Sequence, residues 1–304
     1  MADTARPLEL WLPDLPRFEP GHPLRAWLAR ADRAGDAPRG YLAGLASYFE
    51  CVGGFAPAAL TRELLAGDAA DAAWLSADPA WIQPDLNGAR LLACGQMQLS
   101  MDDALDLARP LKPVFGDAGM TLEVSSPDRW HVRLPPDARL PPFASPEQAL
   151  GEDLAQHLPE GTEGRRWRAI LTEVQVLLHQ HPLNAQRREL GLPPVNSLWL
   201  WGGGSLPVAV RSELAGCVSD DVLLGALAAR AGVEVASRTP DAIAAAKSGW
   251  LIDLQDLPVA DLAGSWWPML ERLSGTTLSL SFASGERWLL RPWHRLRFWR
   301  GAGR

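Results

Sequence analysis

Cysteine is scarce: Cys51, Cys94 and Cys217 are the only three in 304 residues, far apart, odd in number and without a CxxC pair. That spacing argues against a disulfide framework and a cysteine zinc site, and makes a reducing cytoplasm the expected compartment. Lysine is scarcer still. Lys112 and Lys247 stand alone, so positive charge is almost all arginine, and the net charge is −7. An acidic balance speaks against bulk duplex binding, which needs a basic face for phosphate contacts. No apolar run reaches the 18 residues of a membrane span, and even residues 248–260 are interrupted by Asp253 and Asp256. Residues 1–25 carry Asp3, Glu9, Asp14 and Glu19 and lack a basic start followed by an apolar stretch, so no secretory signal is expected. The six histidines form no HExxH or HxxxH pair and there is no GxSxG elbow, so neither a helix-borne zinc site nor a hydrolase triad is indicated.

What the chain has in excess is tryptophan: 14 Trp against 7 Phe and 2 Tyr. Tryptophan combines the largest apolar area with an N–H that needs a partner when buried. Its placement follows from the pattern of elements. Residues 8–12 read as a first strand, and residues 40–52 and 57–65 as helices separated by Gly53 and Gly54. Residues 77–90 hold two prolines and Asn87-Gly88 and read as loop and turn. Ser100, followed by Asp102 and Asp103, caps a helix that Pro110 and Pro113 end or kink. Residues 120–124 and 129–134 alternate around a turn-forming SSPD and predict a hairpin, after which five prolines in 135–146 make a stiff connector.

Between 164 and 180, Trp167, Ile170, Leu171, Val174, Leu177 and Leu178 fall on one helical face. Residues 197–201 form a strand that runs into Gly202, Gly203 and Gly204. Asp220 and Asp221 open a helix that Gly232 ends, and 233–236 is the next strand. A helix at 240–247, a strand at 250–254, a helix at 259–273 and strands at 277–282 and 286–291 complete the pass. Strands alternating with helices predict an α/β fold, a mostly parallel sheet flanked by helices with the last two strands as an antiparallel edge.

Three places carry candidate chemistry. The glycines at 202–204 follow a strand, where phosphate-cradling loops occur, but lack GxGxxG spacing and the lysine of a P-loop; a tight crossing of chain segments explains them equally. The C-terminal Arg287, Arg291, Arg295, Arg297, Arg300 and Arg304 interleave with Trp288, Trp293, Phe298 and Trp299, a pattern of single-stranded nucleic-acid binding or of an edge strand whose tryptophans pack inward. The pairs Asp102-Asp103 and Asp220-Asp221 read as helix N-terminal charges.

The segment HPLNAQRRELGLPPVNSLWLWGGGSLP (181–207), with ADPAWIQPD (77–85), SPDRWHVRL (126–134), WRAILTEVQVLLH (167–179) and LRFWR (296–300), resembles a proteobacterial family named for regulation of pathogenicity factors, protein E (RpfE). More distantly, the order of these motifs looks like the archaeal-type cofactor-independent phosphoglycerate mutases of the alkaline phosphatase superfamily. That resemblance implies a reduced alkaline-phosphatase-like core, here residues 1–84 plus 196–304, with an inserted α+β segment at 85–195. The mutases use two divalent metals held by aspartates and histidines, and a serine that is phosphorylated in turn. Asp14 and Asp253 stand as vestigial metal candidates. No DGxxD accompanies Asp14, no HxxxxDxxGHxxD surrounds Asp253, and no histidine lies between His181 and His294. The resemblance therefore implies the fold and speaks against the activity. It leaves a regulatory protein that binds an anionic small molecule or a protein partner, with no cofactor, through Asn184, Arg187, Arg188, Asn196, Trp199, Trp201 and Gly202–Gly204. The alternatives are a phosphomutase or phosphatase of altered specificity using manganese or zinc, and single-stranded nucleic-acid binding through the C terminus. Trp130, Trp167, Trp199 and Trp201 are expected in the core; Trp288, Trp293 and Trp299 are those whose exposure would mark a binding surface.

Overall fold

A computed structural model describes residues 6–85 and 88–297. In chain order its strands are β1 (Leu8–Leu12), β2 (Asp32–Asp36), β3 (Phe49–Val52), β4 (Ala73–Asp85), β5 (Gly88–Cys94), β6 (Thr121–Ser126), β7 (Arg129–Leu134), β8 (Ser197–Ser205), β9 (Ala209–Ser212), β10 (Gly216–Val218), β11 (Glu234–Ala236), β12 (Trp250–Asp253), β13 (Leu278–Phe282) and β14 (Glu286–Leu290). The chain divides into two compact units, residues 1–52 with 209–304, and residues 53–208.

In the first unit seven strands run in the order β11-β10-β12-β1-β13-β14-β2. The five from β11 to β13 are mutually parallel, and β14 and β2 are antiparallel to their neighbours. The mostly parallel sheet predicted from the alternating pattern is thus present. Its antiparallel edge is composed differently from expectation: β13 lies inside the parallel set against β1, and β14 is joined by β2. The sequence of β2, DRAGD, has no apolar alternation to signal a strand; its pairing with β14 and its largely exposed side chains explain why.

Period-two alternation gives this sheet two unlike faces. Leu8, Leu10, Leu12, Val218, Ile252, Leu278, Leu280 and Phe282 point to one, where they pack with Leu24, Trp27 and Leu28 of helix Leu24–Arg30, with Ile243, and with Leu270 and Leu273 of helix Trp267–Leu273. The opposite face carries Glu9, Trp11, Cys217, Leu251, Asp253 and Ser281, as the registers Glu9↔Leu251, Trp11↔Asp253 and Trp11↔Ser281 require. On this face Trp11 stacks on Tyr41 at 6.0 Å and meets Tyr48 edge-on at 5.7 Å. Gly44, on the same helix (Tyr41–Tyr48), faces the Trp11 ring so closely that no Cβ would fit.

In the second unit β4 is the organising strand. Its first residues pair with β7 on one side and β8 on the other, and its last residues pair with β5. The hairpin expected at 120–134 is β6–β7. Leu75, Ala77, Leu122, Trp130, Val132, Leu198 and Leu200 pack under helices Met101–Ala108 and Gly161–His179. The first of these helices starts at the expected Ser100 cap, reciprocated by Asp103.

Of residues 77–90, read as loop and turn, 77–85 are instead the second half of β4 and 88–90 the start of β5, while Leu86 and Asn87 lie outside the described residues. Pro79 needs no ladder donor, and its carbonyl accepts the Gly95 N–H at 2.9 Å. A register shift follows at Trp81/Ile82. There the Asn196 side chain takes over the ladder, accepting from Ile82 N at 2.8 Å and donating to Ile82 O at 2.7 Å. The same pairing moves the unit boundaries. Because β8 lies against β4 across Ala73–Ala80, the inserted unit runs from 53 to 208 rather than from 85 to 195.

Candidate functional site

The segment 181–207 was expected to line an anion cleft, and the polar groups of Asn184, Arg187, Asn196, Trp199 and Trp201 are bonded inside the second unit. Asn184, on helix Pro182–Glu189, is 1% exposed. Its amide donates to Leu178 O at 2.7 Å and Val195 O at 2.8 Å, and its oxygen accepts Val195 N at 2.8 Å. Arg187 is buried and its guanidinium is taken by carbonyls: Nε to Pro193 O at 2.9 Å and Nη2 to Met97 O at 2.6 Å. It fastens a turn in which Gln96 and Gln98 both have positive φ. Arg188 is exposed. Trp199 donates to Ala144 O at 3.0 Å, and Trp201 donates to Asp78 Oδ2 at 2.8 Å.

The glycines at 202–204 are close-packing positions. A Cβ on Gly202 (φ +65°) would lie 2.9 Å from Pro57 Cβ, one on Gly204 2.9 Å from Ala56 Cβ, and one on Gly203 3.0 Å from Leu75 Cδ1 and nearer still to Leu140. The crossing explanation therefore replaces the phosphate cradle: the surroundings of these glycines are apolar side chains.

Below β8 lies a buried polar network that sequence reasoning did not single out. Asp78 is fully buried and paired with Arg129, whose guanidinium sits 5.4 Å over the Trp201 ring. Burial pushes the Asp78 carboxyl up from its ordinary range, and Arg129 opposes that. Nearby, Arg62 Nη1 donates to Ser125 Oγ at 2.9 Å, Ser125 Oγ lies 2.8 Å from His131 Nδ1, and His131 Nε2 lies 2.9 Å from Thr61 Oγ1. Each ring nitrogen thus faces a hydroxyl, and Thr61 Oγ1 also lies 2.9 Å from the carbonyl of Pro57. Burial foremost, then Arg62 and Arg129, lowers the His131 pKa to about 3, so the ring is neutral.

Ligands of parallel α/β sheets gather outside the carboxyl ends of the strands. In the first unit that edge brings together Ser219, Asp220 and Asp221 after β10, Arg238 after β11, and Asp253 and Asp256 at and after β12. Asp253 is completely buried. Its Oδ2 accepts the Ser219 hydroxyl at 2.7 Å and its Oδ1 accepts Gln255 N at 3.3 Å. Burial, with Asp221 and Asp256 adding repulsion, pushes its pKa up to about 7. Asp221 does the capping expected of it, accepting Leu224 N at 2.7 Å, and also accepts the Tyr41 hydroxyl at 2.6 Å. Arg238 is the cation of the edge: its side chain is 8% exposed, both terminal nitrogens bond Asp256, Nη1 reaches Asp253 O at 3.1 Å, and Nε lies 3.6 Å from Asp220. Ser219 and Arg238 were missed, although their positions just after β10 and β11 could have flagged them.

Asp14, the other vestigial metal candidate, lies exposed in the turn after β1, three residues beyond the Trp11↔Asp253 register. Among the described residues no group of three or more His, Cys, Asp or Glu side chains could hold a metal ion. The donor set does not fit a two-metal clamp, since the carboxylates at the edge already have a guanidinium and a hydroxyl as partners.

Of the C-terminal arginines, Arg287, Arg291 and Arg297 are engaged within the first unit, and Arg295 is exposed. Arg291 and Arg297 both pair with Asp32, beside the buried His294, and Arg287 Nε donates to Ser281 Oγ at 3.0 Å. Arg33 covers the Trp288 ring, while Trp293 is 57% exposed. Phe298, Trp299, Arg300 and Arg304 lie outside the described residues. No described helix is long and apolar enough to cross a membrane.

No protein-family model matches the chain. It is 30% identical over 113 residues to the 2,3-bisphosphoglycerate-independent phosphoglycerate mutase of Methanothrix thermoacetophila, a match covering 37% of this chain and 28% of that protein. With the Methanosarcina barkeri enzyme of the same name it shares 37% identity over 62 residues, 20% of this chain and 16% of the relative. The matches thus span less than a third of these curated relatives' length. Among solved structures, the cofactor-independent phosphoglycerate mutase of Thermoplasma acidophilum aligns over 93% of this chain and 89% of its own, at 14% identity and TM-score 0.42. A Pyrococcus horikoshii protein aligns over 94% and 87%, at 12% identity and TM-score 0.48. The chain is distantly related to the cofactor-independent phosphoglycerate mutases.

Proposed function

We propose that this chain is a phosphoglycerate-mutase-like protein that acts by binding rather than by metal-dependent phosphoryl transfer. One observation carries the reading: at the carboxyl edge of the parallel sheet, Arg238 is bonded to Asp256 and Ser219 to Asp253, and no group of three or more metal donors occurs among the described residues. In-line phosphoryl transfer between two metals needs ions that stabilise both attacking and leaving oxygens, and a fixed guanidinium bonded to Asp256 cannot take both positions. The regulatory setting implied by the resemblance to the pathogenicity-factor family, and an anionic small molecule or protein as the bound partner, belong to the same proposal. The purified chain, supplied with manganese or zinc, is expected to leave 2- and 3-phosphoglycerate unconverted. Robust metal-dependent interconversion would overturn the reading.

A second reading is favoured by the Ser219–Asp253 pair itself, a hydroxyl 2.7 Å from a buried carboxyl at a strand end where active sites occur. Under it the chain is a phosphomutase or phosphatase of altered specificity. Any turnover found on a phosphate ester must then collapse in Asp253→Ala; activity unchanged by that substitution excludes it.

A further inference from the structure

We propose that Arg238 is a built-in counter-ion that stands in for a divalent cation at the carboxyl edge and excludes one from it. The inference rests on the binding reading above and gives it a residue. Arg238 follows β11, the outermost parallel strand, and reaches across the ends of β10 and β12. Its backbone N–H donates to Asp220 Oδ1 at 3.0 Å, Nη2 to Asp256 Oδ2 at 2.9 Å, Nη1 to Asp256 Oδ1 and to Asp253 O at 3.1 Å, and Nε faces Asp220 Oδ2 at 3.6 Å. One planar cation thus gathers oxygens from two strand ends. Oxygens gathered from separate loops around one positive charge are also what a hard divalent ion requires.

The two solutions differ in permanence. A bound ion exchanges with solvent, whereas the guanidinium is tethered, remains charged at any pH the fold survives and fixes its partners through a rigid fork. A divalent ion entering the edge would have to recruit the oxygens that Arg238 holds, and would sit beside an immovable like charge. Making room for an ion would break the bonds of the Arg238 guanidinium to Asp256 and to the Asp253 carbonyl.

The test is a manganese titration of the full chain, followed by electron paramagnetic resonance of free Mn²⁺, alongside Arg238→Gln and Arg238→Lys. The native chain and Arg238→Lys should leave the free-ion signal intact up to about 1 mM, the weak end of oxygen-donor cation sites. Arg238→Gln should bind one ion at least about tenfold more tightly than the native chain, which corresponds to about 1.4 kcal/mol. Adding Asp256→Asn to it, which removes a carboxylate that Arg238 holds, should reverse the gain. Should Arg238→Gln fail to fold, Arg238→Met keeps the packing of the stem and carries the same readout. A folded Arg238→Gln or Arg238→Met that binds manganese no better than the native chain overturns the inference and leaves the binding reading standing. Metal-dependent mutase turnover by the native chain overturns that reading instead.

Discussion

His131 offers the most direct quantitative test of the buried network in the inserted unit. The ring is completely buried between Thr61 and Ser125, and its pKa is lowered to about 3 by burial first, then by Arg62 and Arg129, with Asp68 alone pulling the other way. In the unfolded chain a histidine titrates near 6.5, so between about pH 6.5 and 3 the unfolded state binds a proton that the folded state refuses. The depressed folded-state value means the stability is fully present above pH 6.5 and is lost as pH falls towards 3. The slope is about 1.4 kcal/mol per pH unit, so roughly 3 kcal/mol is gone by pH 4.5 and at most about 5 kcal/mol in all, a large part of the 5–15 kcal/mol typical of a domain. His131→Gln removes the titration while keeping an amide to pair with the flanking hydroxyls. Urea unfolding followed by tryptophan fluorescence, run on both proteins from pH 8 to 4.5, isolates the effect, because carboxylates common to both cancel in the difference. His131→Gln should be the less stable protein at pH 8, and the gap should close by roughly 3 kcal/mol at pH 4.5. A gap that stays constant across this range would refute the neutral, buried ring.

The remaining predictions separate packing from ligand binding in segment 181–207. Asn184→Ala orphans Leu178 O, Val195 O and Val195 N in a fully buried setting, and should cost roughly 3 kcal/mol of stability by denaturant unfolding with no ligand present; a change below about 0.5 kcal/mol would restore a binding role for this residue. Gly202→Ala combines a left-handed φ with a Cβ 2.9 Å from Pro57 and should destabilise by about 2 kcal/mol or more. Gly203→Ala should cost less, because the atoms it meets are the ends of the Leu140 and Leu75 side chains, which can rotate; the reverse order by thermal melting would contradict the packing account.

Legibility in the sequence followed the physics of each element. Helix Gly161–His179, the β6–β7 hairpin and the capped helix after Ser100 were readable because their signals are local: a 3.6-residue apolar period, a turn tetrapeptide, a serine with an acid three residues on. Strand β4 was not readable as such, because Pro79 and Pro84 look like punctuation until β8 and Asn196 are known to supply the pairing around them. β2 was invisible for a related reason: an edge strand of five residues, largely exposed, needs no apolar face.

The candidate site divides along the same line. Asn184, Arg187 and Trp199 have internal partners: amide, guanidinium and indole groups satisfy backbone carbonyls that the fold would otherwise bury unpaired. The tryptophan excess resolves similarly. A ring as large as Trp11 or Trp250 lies flat only where the opposing position has no side chain, and Gly44 and Gly216 provide those positions. Trp74, Trp130, Trp167, Trp199 and Trp201 are buried without a facing glycine, so the excess of indole is mostly core packing. Among the described residues of the C-terminal segment, Trp293 is 57% exposed and lies under the Arg291 guanidinium at 5.5 Å. Chemistry at the carboxyl edge escaped the sequence because Ser219, Arg238 and Asp253 come from separate strand ends up to 34 residues apart, and only the parallel order β11-β10-β12 makes them neighbours.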